Sequence, residues 1–474
     1  MNATPRPLIL HEDRLFPPDA TQRAIARRLH AEVASLPIVS PHGHTDPSWW
    51  AEDAPFPNAT ELLLVPDHYL FRMLYSQGVP LDALGIPRAD GSRAAVDPRE
   101  AWRVFAANFH LFRGTPSSLW LNHVFHEVFG LRVRLDAGTA DLYYDAITDA
   151  LQADAFRPRA LFDRFGIEVI ATTEGPLDAL ARHRAIRDSG WGGRVVTAYR
   201  PDEVVDPEHE AFAGALQRFG EITGEDVHSW DGYLRAHRAR RAFFKSMGAT
   251  STDHGHASAL TADLSDAEAR TLFGKILRGG ASAQDAALFR GQVLTEMAAM
   301  SLDDGLVMQL HPGCFRNHNP RLFARHGRNV GADLPLATEY VHALKPLLDR
   351  FGNEPGFRFI LFTLDESTYS RELGPMAGHY PGLFLGPAWW FHDSPEGMWR
   401  FRERTLGTAG FYNTVGFNDD TRAFLSIPAR HDVARRVDCA VLAKLVAEHR
   451  IDEDEAAEVA VDLAYRLPKQ AYKL

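Results

Sequence analysis

Eight short runs, most of them apolar and rich in β-branched residues, constrain the fold of this chain more than any other feature. Each run ends in, or is directly followed by, polar residues or glycine, which is typical of buried strands in a parallel sheet. We predict strands at residues 38–40, 167–173, 194–199, 249–252, 306–311, 359–364, 383–386 and 414–417.

Helix-like segments lie between most of these runs. Residues 176–188 and 433–449 have apolar side chains at three- and four-residue spacing, which predicts helices. Ser394 and Pro395 are a capping residue and a first-turn proline, and they predict the start of another helix. Eight strands alternating with helices indicate an α/β fold, a (β/α)8 TIM barrel. An open doubly wound sheet is the alternative that alternation also allows.

The interval between the first two predicted strands is far longer than a crossover helix needs. It holds four helix-like segments, at residues 67–77, 98–108, 117–129 and 139–149. Tryptophan, phenylalanine and leucine are frequent in it, so we expect it to pack a core of its own. The predicted parts are an N-terminal segment with the first barrel strand (1–50), a large helical insertion between strands 1 and 2 (51–165), and the remainder of the barrel (166–474).

Charge and cysteine content narrow the class of protein. The chain has 51 basic and 62 acidic residues, a net charge of −11, which disfavours a nucleic acid or an anionic membrane as partner. An anionic substrate would need locally placed arginines. The two cysteines, Cys314 and Cys439, imply no disulfide framework. We find no signal-peptide core and no stretch apolar enough to cross a bilayer, so we expect a cytoplasmic protein.

Two histidines directly follow the first predicted strand. His42 and His44 are two residues apart, so in an extended chain both side chains point the same way and can bind one ion. Zinc and similar divalent cations favour imidazole nitrogen and usually take a carboxylate as a further ligand. The pair alone is a weak signal, but its position at a strand end predicts a metal site.

Other polar residues follow later strands. His311 ends the fifth, Arg200 closes the third, and Asp419, Asp420 and Arg422 follow the eighth. Taken singly, His311 is typical of a buried core histidine and either aspartate of a helix cap. In a barrel the carboxyl ends of all strands surround one pocket, so we expect these side chains to meet there.

These residues also carry a family resemblance. The chain resembles the uronate isomerases of the amidohydrolase superfamily over almost its whole length. The segments that carry the resemblance are His42-Gly43-His44, Asp67-His68-Tyr69 with Arg72, Arg200-Pro201-Asp202, Met308-Gln309-Leu310-His311 with Arg316-Asn317, Trp389-Trp390-Phe391, and Asp420-Thr421-Arg422-Ala423-Phe424-Leu425-Ser426.

The resemblance implies a distorted (β/α)8 barrel and an intramolecular oxidoreductase. The implied reaction is the reversible aldose-ketose isomerisation of D-glucuronate to D-fructuronate and of D-galacturonate to D-tagaturonate. It also implies one divalent metal ion, commonly zinc, held by His42, His44 and Asp420. Asn418 and Asp419 precede Asp420 where the family usually has a threonine, and residues 365–380 match poorly.

The chemistry of such an isomerisation assigns expected roles. A base must remove the C2 proton and an acid must deliver one at C1 through an enediol, with positive charge near the oxygens. We expect Asp420 to be the base and His311 to move protons between oxygens. Either Arg200 or Arg422 could hold the substrate carboxylate bidentately.

Five further residues are expected at the site. His68 and Tyr69 lie in the insertion and reach the site only if that segment folds over the barrel mouth as a lid. An ordinary amphipathic helix is the alternative. Trp389 or Trp390 could cover apolar surface of a sugar, or simply pack in the core. Arg316, which follows the fifth strand, is a further candidate for binding substrate.

Two other functions remain as alternatives. A mononuclear metal-dependent hydrolase or deaminase would use the same fold and histidine pair to activate a water. A binuclear hydrolase is disfavoured, because residues 249–252 contain no lysine and residues 359–364 no histidine. A non-catalytic sugar-acid sensor should have lost a ligand or the base, and neither is missing. The preferred uronate is left open, as is assembly into a homo-oligomer.

Overall fold

The computed structural model describes residues 6–474, and its core is a curled parallel sheet. The strands, in chain order, are β1 (Ile38–Ser40), β2 (Ile167–Glu174), β3 (Arg194–Tyr199), β4 (Ser251–His254), β5 (Val307–Leu310), β6 (Cys314–Phe315), β7 (Leu334–Pro335), β8 (Phe359–Leu361) and β9 (Leu383–Leu385). Seven strands form one sheet in the order β1-β2-β3-β4-β5-β8-β9, and β6 pairs antiparallel with β7.

Helices surround this sheet. They are α1 (Ala20–Val33), α2 (Ser48–Glu52), α3 (His68–Ser76), α4 (Pro98–Ala107), α5 (Pro116–His123), α6 (Ala140–Ala150), α7 (Pro158–Arg164), α8 (Ala181–Asp188), α9 (Asp202–Val205), α10 (Phe212–Thr223), α11 (Trp230–Ser246), α12 (Asp266–Leu277), α13 (Ala283–Asp304), α14 (Pro320–His326), α15 (Lys345–Phe351), α16 (Gly374–Ala377), α17 (Pro395–Ala409), α18 (Ile427–Ala447), α19 (Glu453–Val461) and α20 (Leu467–Tyr472).

The order of the large sheet decides between the two predicted architectures. Neighbouring strands follow one another in chain order, with no reversal of the kind that defines a doubly wound sheet. The eighth predicted strand, 414–417, differs from expectation, because it makes only one parallel bridge, from Thr414 to Leu385. The ring closes beyond the strands, where the His44 amide donates to the Thr421 carbonyl at 3.0 Å. The fold is therefore a distorted (β/α)8 barrel.

Some observed element boundaries differ from the predicted ones. The fourth strand lies at 251–254 instead of 249–252. The helix expected at 176–188 begins only at Ala181, because Leu180 has a positive φ of 51° and its amide is held by Asp178. By contrast, α17 begins after Ser394 as predicted, and the Ser394 hydroxyl accepts from the Gly397 amide.

The insertion is helical, and its four predicted helices correspond to α3, α4, α5 and α6. Its core is continuous with barrel residues such as Ile38, Ile167 and Phe424. The Trp50 and Phe424 rings, for example, pack edge to face with centroids 5.1 Å apart. The insertion therefore shares its core with the barrel, whereas the sequence had led us to expect a separate core. The division of the chain at 51 and 165 stays a prediction.

The C-terminal helix α20 packs against the eighth unit of the barrel. Tyr472 is wholly buried, and its hydroxyl accepts from the Asn418 amide at 3.0 Å. This contact helps to hold the segment that leads into Asp419 and Asp420. Among residues 6–474, no helix has both the length and the apolar character needed to cross a lipid bilayer.

Candidate active site

A cavity of about 400 Å³ opens at the carboxyl ends of the parallel strands. This is where a barrel brings together residues that are remote in sequence. Of the residues that the sequence nominated for the site, Asp419 does not line this cavity, whereas the others do: His42, His44, His68, Tyr69, Arg200, His311, Arg316, Trp389, Trp390, Asp420 and Arg422.

The two histidines after β1 face the aspartate that follows the eighth unit. Nε2 of His42 and Nε2 of His44 lie 3.6 and 3.2 Å from Oδ1 of Asp420. Gly43 between them has no side chain, and a Cβ there would meet the Thr421 carbonyl at 3.4 Å. Asp420 has a φ of 35°, in the left-handed region that a non-glycine residue rarely adopts. Its other oxygen accepts from the Trp389 indole at 2.5 Å.

The side chain of Asp419, the residue before Asp420, points away from His42 and His44. Oδ2 of Asp419 lies 3.0 Å from Nε2 of His431, a buried residue of α18. The two adjacent aspartates therefore serve different contacts, and only Asp420 faces His42 and His44.

His311 belongs to a chain of polar contacts that runs through the buried Asp253 to the partly exposed Arg200 and Asp202. Its Nδ1 lies 2.7 Å from Oδ1 of Asp253, which is wholly buried at the end of β4. The other oxygen of Asp253 accepts from Nη1 of Arg200 at 2.9 Å, and Nε of Arg200 donates to Asp202 at 2.8 Å. Because Asp253 accepts at Nδ1, the proton of a neutral His311 lies there and Nε2 is left as an acceptor facing the cavity.

Unpaired buried atoms mark a place for a cation. Oδ1 of Asp420 and Nε2 of His311 are buried and have no hydrogen-bond partner within residues 6–474. Ligand atoms of His42, His311 and Asp420 all lie within 4.8 Å of one another. Imidazoles with a carboxylate are a donor set for a divalent metal, and a ligand histidine typically donates its other nitrogen to a carboxylate. These residues fit a divalent ion, with His311 as a candidate ligand beside His44.

Burial and charge set the protonation of this cluster. Burial lowers the pKa of His42 to about 4, so its ring is neutral near neutral pH. Burial alone would raise the pKa of Asp420, but the His42 and His44 imidazoles hold it well below its usual range. Burial also lowers the pKa of His68 far below its ordinary value. The site therefore combines the ionised carboxylate of Asp420 with neutral imidazole rings at His42 and His68.

The three arginines differ in how they are paired. Arg200 is bound by Asp202 and Asp253, and Arg316 by Asp333 at 3.0 Å. Arg422 makes no ion pair within 4.0 Å in the described part of the chain, although it lines the cavity. Burial lowers the pKa of Arg422, which indicates that its charge is incompletely solvated. Of the two candidates for a substrate carboxylate, Arg422 is the one with an unoccupied guanidinium.

The insertion reaches the cavity through α3. The Tyr69 hydroxyl donates to the Trp390 carbonyl at 3.3 Å, and the His68 ring lies 5.8 Å from the Trp390 ring. His68 and Tyr69 were expected to reach the site only if the insertion folds over the barrel mouth, and α3 does lie there. Trp389 is buried beside His311, with ring centroids 4.7 Å apart, whereas Trp390 is partly exposed.

Sequence reasoning missed Asp253 and the direct bond from Trp389 to Asp420. The sequence did contain a signal for Asp253. Asp253 belongs to a strand that ends at His254, and a prediction of that strand two residues later would have included it among strand-end residues. The Trp389 bond had no local signal, because its partner lies 31 residues away.

Comparison with known proteins agrees with this architecture. A family model described as glucuronate isomerase matches residues 19–472. A uronate isomerase of Xanthomonas campestris pv. campestris (strain B100) is 78% identical over 470 residues, 99% of this chain and 100% of the relative. The crystal structure of glucuronate isomerase from Caulobacter crescentus has a TM-score of 0.98 at 67% identity, covering 99% of this chain and 98% of that one. A uronate isomerase structure from Thermotoga maritima has a TM-score of 0.91 at 26% identity, covering 98% and 99%. The chain therefore belongs to the glucuronate isomerase family and is a uronate isomerase.

Proposed function

We propose that the cavity interconverts a hexuronate and its keto isomer, D-glucuronate with D-fructuronate and D-galacturonate with D-tagaturonate, in the cytoplasm. The carbonyl moves between C1 and C2 of the open-chain sugar through an enediol. One observation carries the proposal. The Asp420 carboxylate faces His42 and His44 in the same cavity that holds the unpaired guanidinium of Arg422. A base for carbon acid chemistry and a receptor for the substrate carboxylate are thereby available together.

Asp420 is the proposed base that takes the C2 proton, and its protonated carboxyl group then returns that proton to C1 of the enediol. Its low pKa keeps the carboxylate ionised across the neutral range, and the Trp389 indole fixes its orientation. One divalent metal ion, with zinc expected, would be held by His42, His44 and Asp420 and would supply positive charge to a substrate oxygen. The unpaired Oδ1 of Asp420 supports this assignment.

His311 is the proposed group that moves a proton between the C1 and C2 oxygens. Asp253 accepts from Nδ1, so Nε2 can take a proton from one hydroxyl and return it to the neighbouring oxygen. As the proton is taken up, the charge on the imidazolium is balanced by Asp253, which itself stays ionised. Asp253 therefore fixes the orientation of His311, whose Nε2 faces the cavity.

Arg422 is proposed to bind the substrate carboxylate. A planar guanidinium can hold both carboxylate oxygens, and Arg422 makes no ion pair within 4.0 Å among the described residues, although the charges of Asp420 and Asp333 act on it from a greater distance. Arg200 and Arg316 remain paired and supply positive charge near the oxygens where negative charge develops. This division explains how an acidic protein can bind an anionic sugar.

The insertion is proposed to close the site. His68 and Tyr69 contact Trp390 above the barrel mouth, which places polar groups and an aromatic wall around the chain of the sugar. Aromatic faces cover the C–H surface of a sugar, and closure keeps water from the enediol. Dissociation of the substrate would then require movement at this contact.

The test is conversion of D-glucuronate by protein loaded with one equivalent of zinc, followed by nuclear magnetic resonance of the products. We expect a ketose to form, and Asp420→Asn to abolish turnover while its circular dichroism stays that of the wild type. Asp419→Asn is the matched control, because that carboxylate faces His431, and it should still turn over substrate.

A mononuclear hydrolase would give a different result. Release of ammonia or acid from a ring substrate, with no ketose formed from either uronate, would overturn the proposal. Near-normal turnover by Asp420→Asn would rule out Asp420 as the base.

A further inference from the structure

Behind the cavity lies a buried arginine that the proposed reaction does not use. Arg430, in the first turn of α18, is 1% exposed. Its Nη1 donates to Oδ2 of Asp393, and its Nε donates to the Ser426 hydroxyl at 3.1 Å. A longer bond of 3.4 Å joins Nη1 to the carbonyl of Asp419, the residue before Asp420.

The same guanidinium contacts the insertion. Its Cζ lies 3.5 Å from the centroid of the Trp120 ring in α5 and 5.5 Å from the Tyr69 ring in α3. Tyr69 in turn donates to the carbonyl of Trp390, three residues before Asp393. Arg430 therefore contacts the insertion, the loop after β9, and the segment that carries Asp420.

Burying this ion pair costs more free energy than filling the same space with apolar side chains. Removing a guanidinium and a carboxylate from water carries a large penalty, and an apolar pair of similar volume is often as stable or more so. A fixed ion pair has directional bonds that an apolar contact lacks. One oxygen of Asp393 also lacks a hydrogen-bond partner within residues 6–474. The contribution of this pair is therefore expected in geometry more than in stability.

We infer that Arg430, with Asp393, is a positioning residue. It holds Tyr69 and the loop after β9, which carries Trp390, in place relative to Asp420. Asp420 needs such support, because its backbone has the strained φ of 35° and the preceding carbonyl is one of the groups that Arg430 binds. The inference rests on the proposed function, since it assumes that Tyr69 and Asp420 face the substrate.

The experiment compares Arg430→Met with Arg241→Met in the zinc-loaded, full-length protein. Arg241 is a matched control, because it is also fully buried and paired, with Asp304 on the outer helix α13 at 2.7 and 2.9 Å, and it does not line the cavity. Kinetics with D-glucuronate, zinc content and thermal unfolding are measured for both, at a temperature where both are folded.

We expect Arg430→Met to lower kcat by roughly 100-fold, since small misplacements of reacting groups have effects of that size. KM should change much less, zinc content should stay that of the wild type, and Arg241→Met should keep its kcat. Arg430→Lys keeps the charge opposite Asp393 but not the planar stacking on Trp120, so it should recover about tenfold of the loss.

A kcat for Arg430→Met equal to that of Arg241→Met would overturn the inference, as would a lack of any recovery in Arg430→Lys. If Arg430→Met does not fold, Asp393→Asn provides the second measurement: a kcat loss of about tenfold supports the inference and an unchanged kcat overturns it. Failure of the wild type to form a ketose would instead overturn the proposed function.

Discussion

Replacing Asp253 by asparagine tests how the buried carboxylate behind His311 contributes to the site. Asp253 is wholly buried and accepts from His311 at 2.7 Å and from Arg200 at 2.9 Å. Although burial would raise its pKa, Arg200 and His311 hold that pKa well below the usual range. Asparagine keeps the shape of the side chain and removes its charge.

The expected loss of stability follows from these two bonds. Each is charge-assisted, and hydrogen bonds to charged groups contribute about 1.5–3 kcal/mol, whereas a neutral bond contributes about 1 kcal/mol. The amide oxygen can still accept from one partner, and Arg200 keeps Asp202 at 2.8 Å. The free energy of unfolding should therefore fall by about 3 kcal/mol, at the lower end of the range for a broken buried pair.

Function should fall as well, because Asp253 fixes the orientation and tautomer of His311, the proposed proton carrier beside the metal site. Carboxylates that support a histidine at a metal site typically contribute about 10–100-fold to activity. Turnover is measured with D-glucuronate, and stability by chemical denaturation.

Asp438→Asn is the matched control. Asp438 makes a bidentate pair with the buried Arg402 at 2.7 and 3.1 Å, outside the cavity. It should lose stability without losing turnover. Wild-type turnover in Asp253→Asn would refute the reasoning, even if its stability fell as expected.

Three further predictions concern other positions around the cavity. His44→Ala should lower both zinc content and turnover by more than about tenfold, since a ligand is removed; elemental analysis showing full occupancy would move the ion elsewhere. Arg422→Lys should raise KM for D-glucuronate by about tenfold through loss of the bidentate contact, and an unchanged KM would redirect attention to Arg200. Burial raises the pKa of Glu174 to about 7 from an ordinary 4.5, against the opposing Thr197 and Thr172 hydroxyls. The native carboxyl thus keeps a proton that the unfolded chain releases, so stability should fall by about 3 kcal/mol as the pH rises from 4.5 to 7. Glu174→Gln should remove that fall, and parallel denaturation curves for both proteins at about pH 5 and pH 8 would contradict it.

Much of the fold could be predicted from local sequence. Apolar runs of four to eight residues and three- to four-residue apolar spacing reflect backbone periodicity, which each segment carries in itself. Strand β3 and the helix after Ser394 were predicted at their observed starts for this reason. The shortened start of α8 was not, because it depends on the positive φ of Leu180.

The last predicted strand marks another limit of local reasoning. Residues 414–417 have the composition of a strand, yet only Thr414 pairs, through one bridge to Leu385. An apolar run forms a strand only where a neighbouring strand lies within hydrogen-bonding distance along the whole run. In this barrel the first and eighth units meet beyond the strands, at His44 and Thr421.

The sequence by itself determined that His42 and His44 share a face after a strand, because a spacing of two residues fixes side-chain direction in an extended chain. Only the tertiary structure decided which aspartate faces these histidines and which arginine at the cavity makes no ion pair within the described residues. Asp419 and Asp420 are neighbours in sequence, but His431 binds one and His42 and His44 face the other.

The same holds for the charged chain behind the site. His311 and Asp253 are 58 residues apart, and Arg200 and Asp253 are 53 apart, so no local pattern could pair them. The pairing of buried charges is set by which strand ends meet in the barrel and by the cost of leaving any charge unpaired. That cost acts only once the chain has folded, which is why Arg422 emerges as the unpaired arginine from the structure alone.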